Sequence, residues 1–264
     1  MRATRSLRAP LDTDRPDPHR APPRSDRVAH PSRALLHAGR APSRWLVRRR
    51  YDVRVADAEH VPATGPVILA ANHVGVVDGP MLSMFAPRPV HCLTKVEMFT
   101  GRTGAFLLAA GQVPLDRFRV DPRGVRTSLR VLRDGGALGI FPEGVRGAGE
   151  LDRFHRGAAY LALVSGAPVV PVTVVGTREP GGHRESLPLR GARLDFVFGE
   201  PVDLGRVAWP RTRELVEAGS QALRERMLAA QSHALATTGR TLPGPLPAGE
   251  LEPDPGDGVT EQSA

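Results

Sequence analysis

The stretch Asn72-His73-Val74-Gly75-Val76-Val77-Asp78 sets an imidazole and a carboxylate on either side of a short turn. At that spacing the carboxylate can accept from one ring nitrogen, fix the tautomer and stabilise the imidazolium, leaving the other nitrogen to take a proton from a hydroxyl. No Ser or Cys stands where a nucleophile would be required. An acceptor hydroxyl can therefore attack directly, with no covalent enzyme intermediate. By spacing alone the pair also fits a histidine with a structural partner, which is the commoner case. Phe141-Pro142-Glu143-Gly144-Val145-Arg146 supplies a second carboxylate and a guanidinium. Gly111-Gln112-Val113-Pro114-Leu115-Asp116-Arg117 supplies another arginine. Lys95, a single lysine beside 35 arginines, adds a third cation. Arginine forks hold phosphate bidentately, so Arg117, Arg146 and Lys95 together form a candidate cradle for a phosphate dianion.

Each of these groups follows an apolar run. Runs at 51–56, 67–71, 90–94, 112–115, 137–141, 168–175 and 192–198 read as strands, and helical patterns at 80–85, 103–109, 125–133, 158–165 and 211–230 fall between or after them. Alternating strands and helices predict an α/β fold: one domain with a largely parallel central sheet flanked by helices. In such a sheet the carboxyl ends of the strands carry the reacting groups, which places His73 well. The domain is expected over residues 51–235. Residues 1–50 read as a basic arm, disordered over 1–32 because so few aliphatic residues cannot offset ordering entropy, with Pro42 interrupting any continuous helix beyond. The 45–50 piece, Trp45 with Arg48, Arg49 and Arg50, fits a short amphipathic interfacial helix. Residues 236–264 are a Pro/Gly-rich acidic tail expected to fray.

The formal net charge of +8 is carried by the arm, where thirteen arginines face four aspartates; the rest of the chain is near neutral. Such an arm suits an anionic membrane surface or nucleic acid, or is a solvated tail. No run approaches the apolar length of a spanning helix, and no apolar core follows the basic N-terminus. The expected location is therefore cytoplasmic, peripheral at the inner face of the cell membrane. A single cysteine, Cys92, excludes an intramolecular disulfide; it lies in an apolar run and reads as core. One His and one Asp do not make a metal-ligand set, and no dinucleotide or P-loop glycine spacing occurs. Metal sites and cofactors are expected to be absent.

Four blocks in order resemble the lysophosphatidic acid acyltransferase (PlsC-like) glycerolipid acyltransferases: Asn72-His73-x4-Asp78, Gly111 to Arg117, Phe141-Pro142-Glu143-Gly144, and Ala167-Pro168-Val169-Val170-Pro171-Val172. The resemblance runs from about residue 51 to 201. It implies His73 and Asp78 as the catalytic base pair. It also implies that Arg117, Glu143, Gly144 and Arg146 hold the acceptor phosphate and glycerol, and that Pro171 shapes the substrate site. The implied reaction moves a fatty acyl group from acyl-CoA or acyl-ACP (an acyl carrier protein thioester) to 1-acylglycerol-3-phosphate, giving phosphatidate. Val145 stands where the family commonly has Thr or Ser, and Gly147 where it commonly has Ser. Another lysophospholipid, a glycolipid or an aminolipid therefore remains an alternative acceptor. A non-enzymatic anionic-lipid-binding role is the remaining class, and the intact His73/Asp78 pair argues against it. The expected partners are the acceptor lipid, the thioester donor and an anionic membrane surface, with no nucleic acid.

Overall fold

The computed structural model describes residues 24–250. Two helices, α1 (Ala34–Ala38) and α2 (Arg40–Arg48), lead into β1 (Asp52–Ala56) and β2 (Val67–Ala71). Then follow α3 (Asp78–Phe85), β3 (Val90–Lys95), α4 (Gly101–Ala109), β4 (Val113–Leu115), α5 (Pro122–Arg133) and β5 (Ala137–Ile140). The chain continues through α6 (Gly157–Ser165), β6 (Val169–Val175), β7 (Arg193–Phe198) and α7 (Arg213–Thr238).

The seven strands form one sheet in the order β1-β7-β6-β2-β5-β3-β4. Every neighbouring pair is parallel except β6 with β7. The largely parallel α/β domain read from the sequence is thus the fold observed. The five strands β6, β2, β5, β3 and β4 run the same way, so their carboxyl ends share one edge.

β2 is wholly buried, bounded on its amino side by Gly65-Pro66. Its side chains alternate between two cores. Val67, Leu69 and Ala71 pack with Met81, Leu82 and Phe85 of α3, while Ile68 and Ala70 pack with residues of α5, α6 and α7. Helices on both faces explain why the strand is apolar throughout instead of alternating. The helix ends are written locally. Asp121 accepts from the backbone N–H of Arg123 and Gly124, with Pro122 at the first helical position of α5. Thr212 caps α7, and Gly239, at φ 65°, closes it in the left-handed conformation.

The termini differ from the sequence reading. Residues 1–23 of the arm lie outside the described residues, but the rest of the arm packs on the domain. The carbonyls of Asp26 and Val28 accept from Arg130, and the His30 ring meets the buried His91 ring edge-on at 5.1 Å. As the sequence predicts, no continuous helix runs through the arm: α1 stops at Ala38 and α2 begins at Arg40. Pro42 occupies the first turn of α2, where backbone N–H groups have no intrahelical acceptor to lose. α7 extends to Thr238, past the expected end of the helical pattern at 230. The segment after it lies against the domain, with Leu246 buried and the Gly244 carbonyl bonded to Arg178.

Because β2 lies between the two cores and carries the His73 turn at its end, truncating it should be felt globally. Leu69→Ala is expected to cost about 2–5 kcal/mol of unfolding free energy. Urea denaturation with an unchanged m-value checks this; a loss below about 1 kcal/mol would contradict the two-sided packing.

Candidate active site

The β2 strand ends at Ala71, and Asn72 extends it by side chain. Its amide accepts from the Val174 N–H at 2.7 Å and donates to the Val174 carbonyl at 3.0 Å, as a paired strand residue would. The chain then turns through His73–Val77 into α3. Asp78, fully buried at the first position of α3, closes that turn. Its Oδ2 accepts from His73 Nδ1 at 2.8 Å, Val74 N at 2.7 Å and Gly75 N at 2.9 Å. The bond to Nδ1 fixes the tautomer and leaves Nε2 as the basic nitrogen. The His73 ring stacks on Phe141, 4.4 Å between centroids. At Gly75 an added Cβ would sit 2.5 Å from the Thr177 carbonyl oxygen, so the turn can approach the end of β6 only with glycine there.

Two further groups hold the same turn. Glu143 Oε1 accepts from the His73 backbone N–H at 2.7 Å. Arg178, 2% exposed, donates from Nε to the Val74 carbonyl at 2.8 Å and from its other nitrogens to the carbonyls of Gly147, Gly182 and Gly244. Burial lowers its pKa, and the Asp78 and Glu250 carboxylates oppose that shift. Burial also pushes the Glu143 carboxyl up to about 8; the bond from His73 N–H works against this and the neighbouring Asp78 charge works with it.

His73 opens onto a cavity of about 880 Å³. Its polar lining includes His73, Lys95, Arg117, Arg146 and Glu185, with Arg40, Arg156, Arg211 and Arg213 also on the wall. Its apolar lining includes Leu35 and Leu36 of α1, Met84 of α3, Leu93 of β3, and Phe106 and Leu107 of α4. A volume in this range accommodates a lipid-sized ligand. Arg117 donates to the Gly144 carbonyl at 2.6 Å, which joins the ends of β4 and β5. Arg146 donates from Nη1 to the Arg184 carbonyl at 3.0 Å and from Nη2 to Glu185 Oε1 at 2.9 Å. His73, Arg146, Lys95 and Arg117 thus come from the ends of four adjacent strands, β2, β5, β3 and β4.

Of the residues singled out in the sequence, His73, Lys95, Arg117, Gly144 and Arg146 meet on this cavity, with Asp78 buried behind His73. Two sit elsewhere. Glu143 is not on the cavity wall; its carboxyl is buried on the His73 backbone, where it holds the turn instead of a ligand. Pro171 lies inside β6, with its carbonyl accepting from Gly199 N just where β7 ends, and is likewise absent from the wall. Cys92 borders the cavity, but burial pushes its thiol up to about 11, which suits a wall and not a nucleophile. The sequence reading missed Arg178 and Glu185, for which no local pattern gives a signal. Among the described residues, no group of three or more His, Cys, Asp or Glu side chains is placed to hold a metal ion.

A family model described as Acyltransferase matches residues 52–175. The 1-acyl-sn-glycerol-3-phosphate acyltransferase of Bacillus subtilis (strain 168) is 29% identical over 184 residues, covering 69% of this chain and 89% of its own. A chloroplastic 1-acyl-sn-glycerol-3-phosphate acyltransferase of Arabidopsis thaliana is 29% identical over 177 residues, 57% of this chain; the match spans only 47% of that relative. The crystal structure of PlsC, the 1-acyl-sn-glycerophosphate acyltransferase of Thermotoga maritima, superposes with a TM-score of 0.52 at 25% identity, covering 74% of this chain and 78% of that one.

The raised Glu143 carboxyl makes a pH-dependent contribution whose sign is fixed. A folded-state value above the unfolded one stabilises fully at low pH, and that contribution is lost as pH rises from 4.5 through about 8. In Glu143→Gln the dependence is removed while an acceptor for His73 N–H is kept. The Tm of the native protein should therefore fall relative to the variant as pH rises across that window. Scanning fluorimetry at several pH values checks this, and parallel Tm–pH curves would show that the carboxyl titrates normally.

Proposed function

We propose that the protein, whose residues 52–175 match the Acyltransferase family model, acylates the free hydroxyl of 1-acylglycerol-3-phosphate, giving phosphatidate. The observation that carries the proposal is the His73–Asp78 pair facing a cavity whose lining combines cations, Lys95, Arg117 and Arg146 among them, with apolar side chains. The donor is a fatty acyl thioester, acyl-CoA or acyl-ACP. The apolar walls receive its chain, and Arg117, Arg146 and Lys95 receive the acceptor phosphate.

In this mechanism the acceptor hydroxyl lies against His73 Nε2. As its oxygen attacks the thioester carbonyl, Nε2 takes the proton, and Asp78 stabilises the imidazolium through Nδ1–H. When the tetrahedral intermediate collapses, the carbon–sulfur bond breaks and the imidazolium returns the proton to the departing sulfur. The products are the ester and the free thiol, and the base is regenerated without a covalent enzyme intermediate.

The acceptor is a membrane lipid, and among the described residues no helix is long and apolar enough to cross a membrane. Peripheral docking on an anionic surface is therefore part of the proposal. Trp45 and Leu46 of α2 are exposed, and the Arg49 guanidinium stacks 4.0 Å over the Trp45 ring. Phe106 and Leu108 of α4 are exposed as well, and α4 touches α1, both helices lining the cavity. Apolar anchors flanked by arginines fit an interfacial depth, with each arginine near an anionic surface contributing about 1 kcal/mol.

The deciding assay combines purified protein, acyl-CoA or acyl-ACP, and a panel of lysophospholipid acceptors, read by mass spectrometry. 1-Acylglycerol-3-phosphate should be the preferred acceptor; no turnover of any lysophospholipid with either donor would overturn the proposal. His73→Ala should abolish transfer while the protein stays folded, and Asp78→Asn should lower kcat by on the order of 10³–10⁴ by favouring the wrong tautomer. Docking has its own test. Trp45→Ser/Leu46→Ser should reduce co-sedimentation with anionic vesicles at low salt, and added salt should weaken what remains. If this double variant sediments like the parent while Phe106→Ser/Leu108→Ser does not, α4 is the anchor and α2 is passive.

A further inference from the structure

The cation that the proposed reaction assigns to the acceptor phosphate already holds an anion of the protein's own. Arg146 is 7% exposed, and its guanidinium reaches two neighbouring residues of one loop. Nη1 holds the backbone carbonyl of Arg184, which fixes the loop between β6 and β7 to the site. Nη2 holds the carboxylate of Glu185, the next residue on that loop. The Glu185 carboxyl is drawn below the ordinary carboxylate range, first by the bond from Arg146, with Lys95 and Arg184 adding to it. Glu185 also lines the same cavity as His73, Lys95 and Arg117. Its carboxylate therefore lies in the field of the cations proposed to bind phosphate.

Glu185 differs from its partner in one respect that matters: its side chain is 62% exposed. The backbone around it is pinned on both sides. Arg184 N donates to Glu250 at 2.8 Å, and Ser186 N donates to the His183 carbonyl at 3.0 Å. Rotation of the Glu185 side chain towards solvent breaks its bond to Nη2 and leaves the Nη1 bond and the loop in place.

We propose that Glu185 is a specificity-determining anionic gate: its carboxylate holds Arg146, and an incoming head group must displace it from that guanidinium. The inference rests on the phosphate assignment made above. An arriving phosphodiester carries one negative charge and merely exchanges one monoanion for another. A phosphomonoester near neutral pH carries close to two charges and three strong acceptor oxygens. In the field of three cations it outcompetes a carboxylate, and its charge repels the displaced Glu185 outwards. The gate thus raises the binding threshold for all anionic head groups and favours monoesters over diesters.

The test compares full-length native protein with Glu185→Gln and with Glu225→Gln, which makes the same charge change at an exposed position on α7 that does not line the cavity. Affinity for inorganic phosphate is measured by calorimetry, and acceptor kinetics with 1-acylglycerol-3-phosphate and with a monoanionic lysophosphodiester. Glu185→Gln should bind phosphate about fivefold more tightly, the order expected for releasing a partly exposed ion pair, and Glu225→Gln should not. The KM for the monoester should fall with kcat little changed. The diester should gain more, so the monoester-to-diester ratio of kcat/KM should drop severalfold. Unchanged or weaker phosphate binding in Glu185→Gln would overturn the gate, and weaker binding would make Glu185 part of the ligand site instead. Equal tightening in Glu225→Gln would reduce the effect to overall charge and also overturn it. If the native protein turns over neither acceptor, the proposed reaction fails, and the phosphate titration still decides the role of Glu185.

Discussion

Asp78 Oδ2 accepts three hydrogen bonds, from one ring nitrogen and two successive backbone N–H groups, and the geometry of the rest of the site follows from that oxygen. A buried carboxylate is costly unless it is hydrogen-bonded. Here the donors that satisfy it belong to the turn it must shape. The same bonds that offset its desolvation therefore fix the path of residues 73–75 and the orientation of the imidazole. Glu143 fastens the turn from below through the His73 N–H, and Arg178 through the Val74 carbonyl. The His73–Asp78 pair is thus set by backbone bonds as much as by its own side-chain contact.

Arg178 shows how such a turn is tied to the rest of the domain. Burying a guanidinium is expensive unless its N–H groups find acceptors, and this one donates to four backbone carbonyls from four separate segments. Bonds to a charged donor are the stronger class, so each carbonyl is held well. The residue joins the His73 turn, the loop after β5, the loop after β6 and the segment beyond α7 at one point. It also sits near enough to Asp78 for that carboxylate to favour the charged guanidinium.

Much of this was legible in the chain itself. The apolar runs marked the strands because helices cover both faces of the sheet, and a buried parallel strand such as Val67–Ala71 has no polar face to hide it. The blocks around His73, Arg117 and Arg146 could be placed at strand ends because parallel topology brings all such ends to one edge. The strand order itself was not legible, since local periodicity carries no information about neighbours. Glu143 was misplaced because its motif says where the loop lies and not which way the carboxyl turns. Arg178 is one arginine among 35, and nothing local separates it from those on the surface. The packed stretch 24–32 has too few aliphatic residues to announce itself; it is held by polar and ring contacts with distant residues.

The order of the strands also governs when in the chain's history the site can exist. β2 is made early, but its two neighbours in the sheet, β5 and β6, come about seventy and a hundred residues later in the sequence. The clamp at Arg178 comes later still, and one of its acceptors is Gly244. During synthesis from the N-terminus, the histidine therefore leaves the ribosome long before the residues that orient it. Pairings so distant in sequence close slowly. A nascent or partly unfolded chain holds His73 without its geometry, and the imidazole is fully oriented only once almost the whole domain has been assembled.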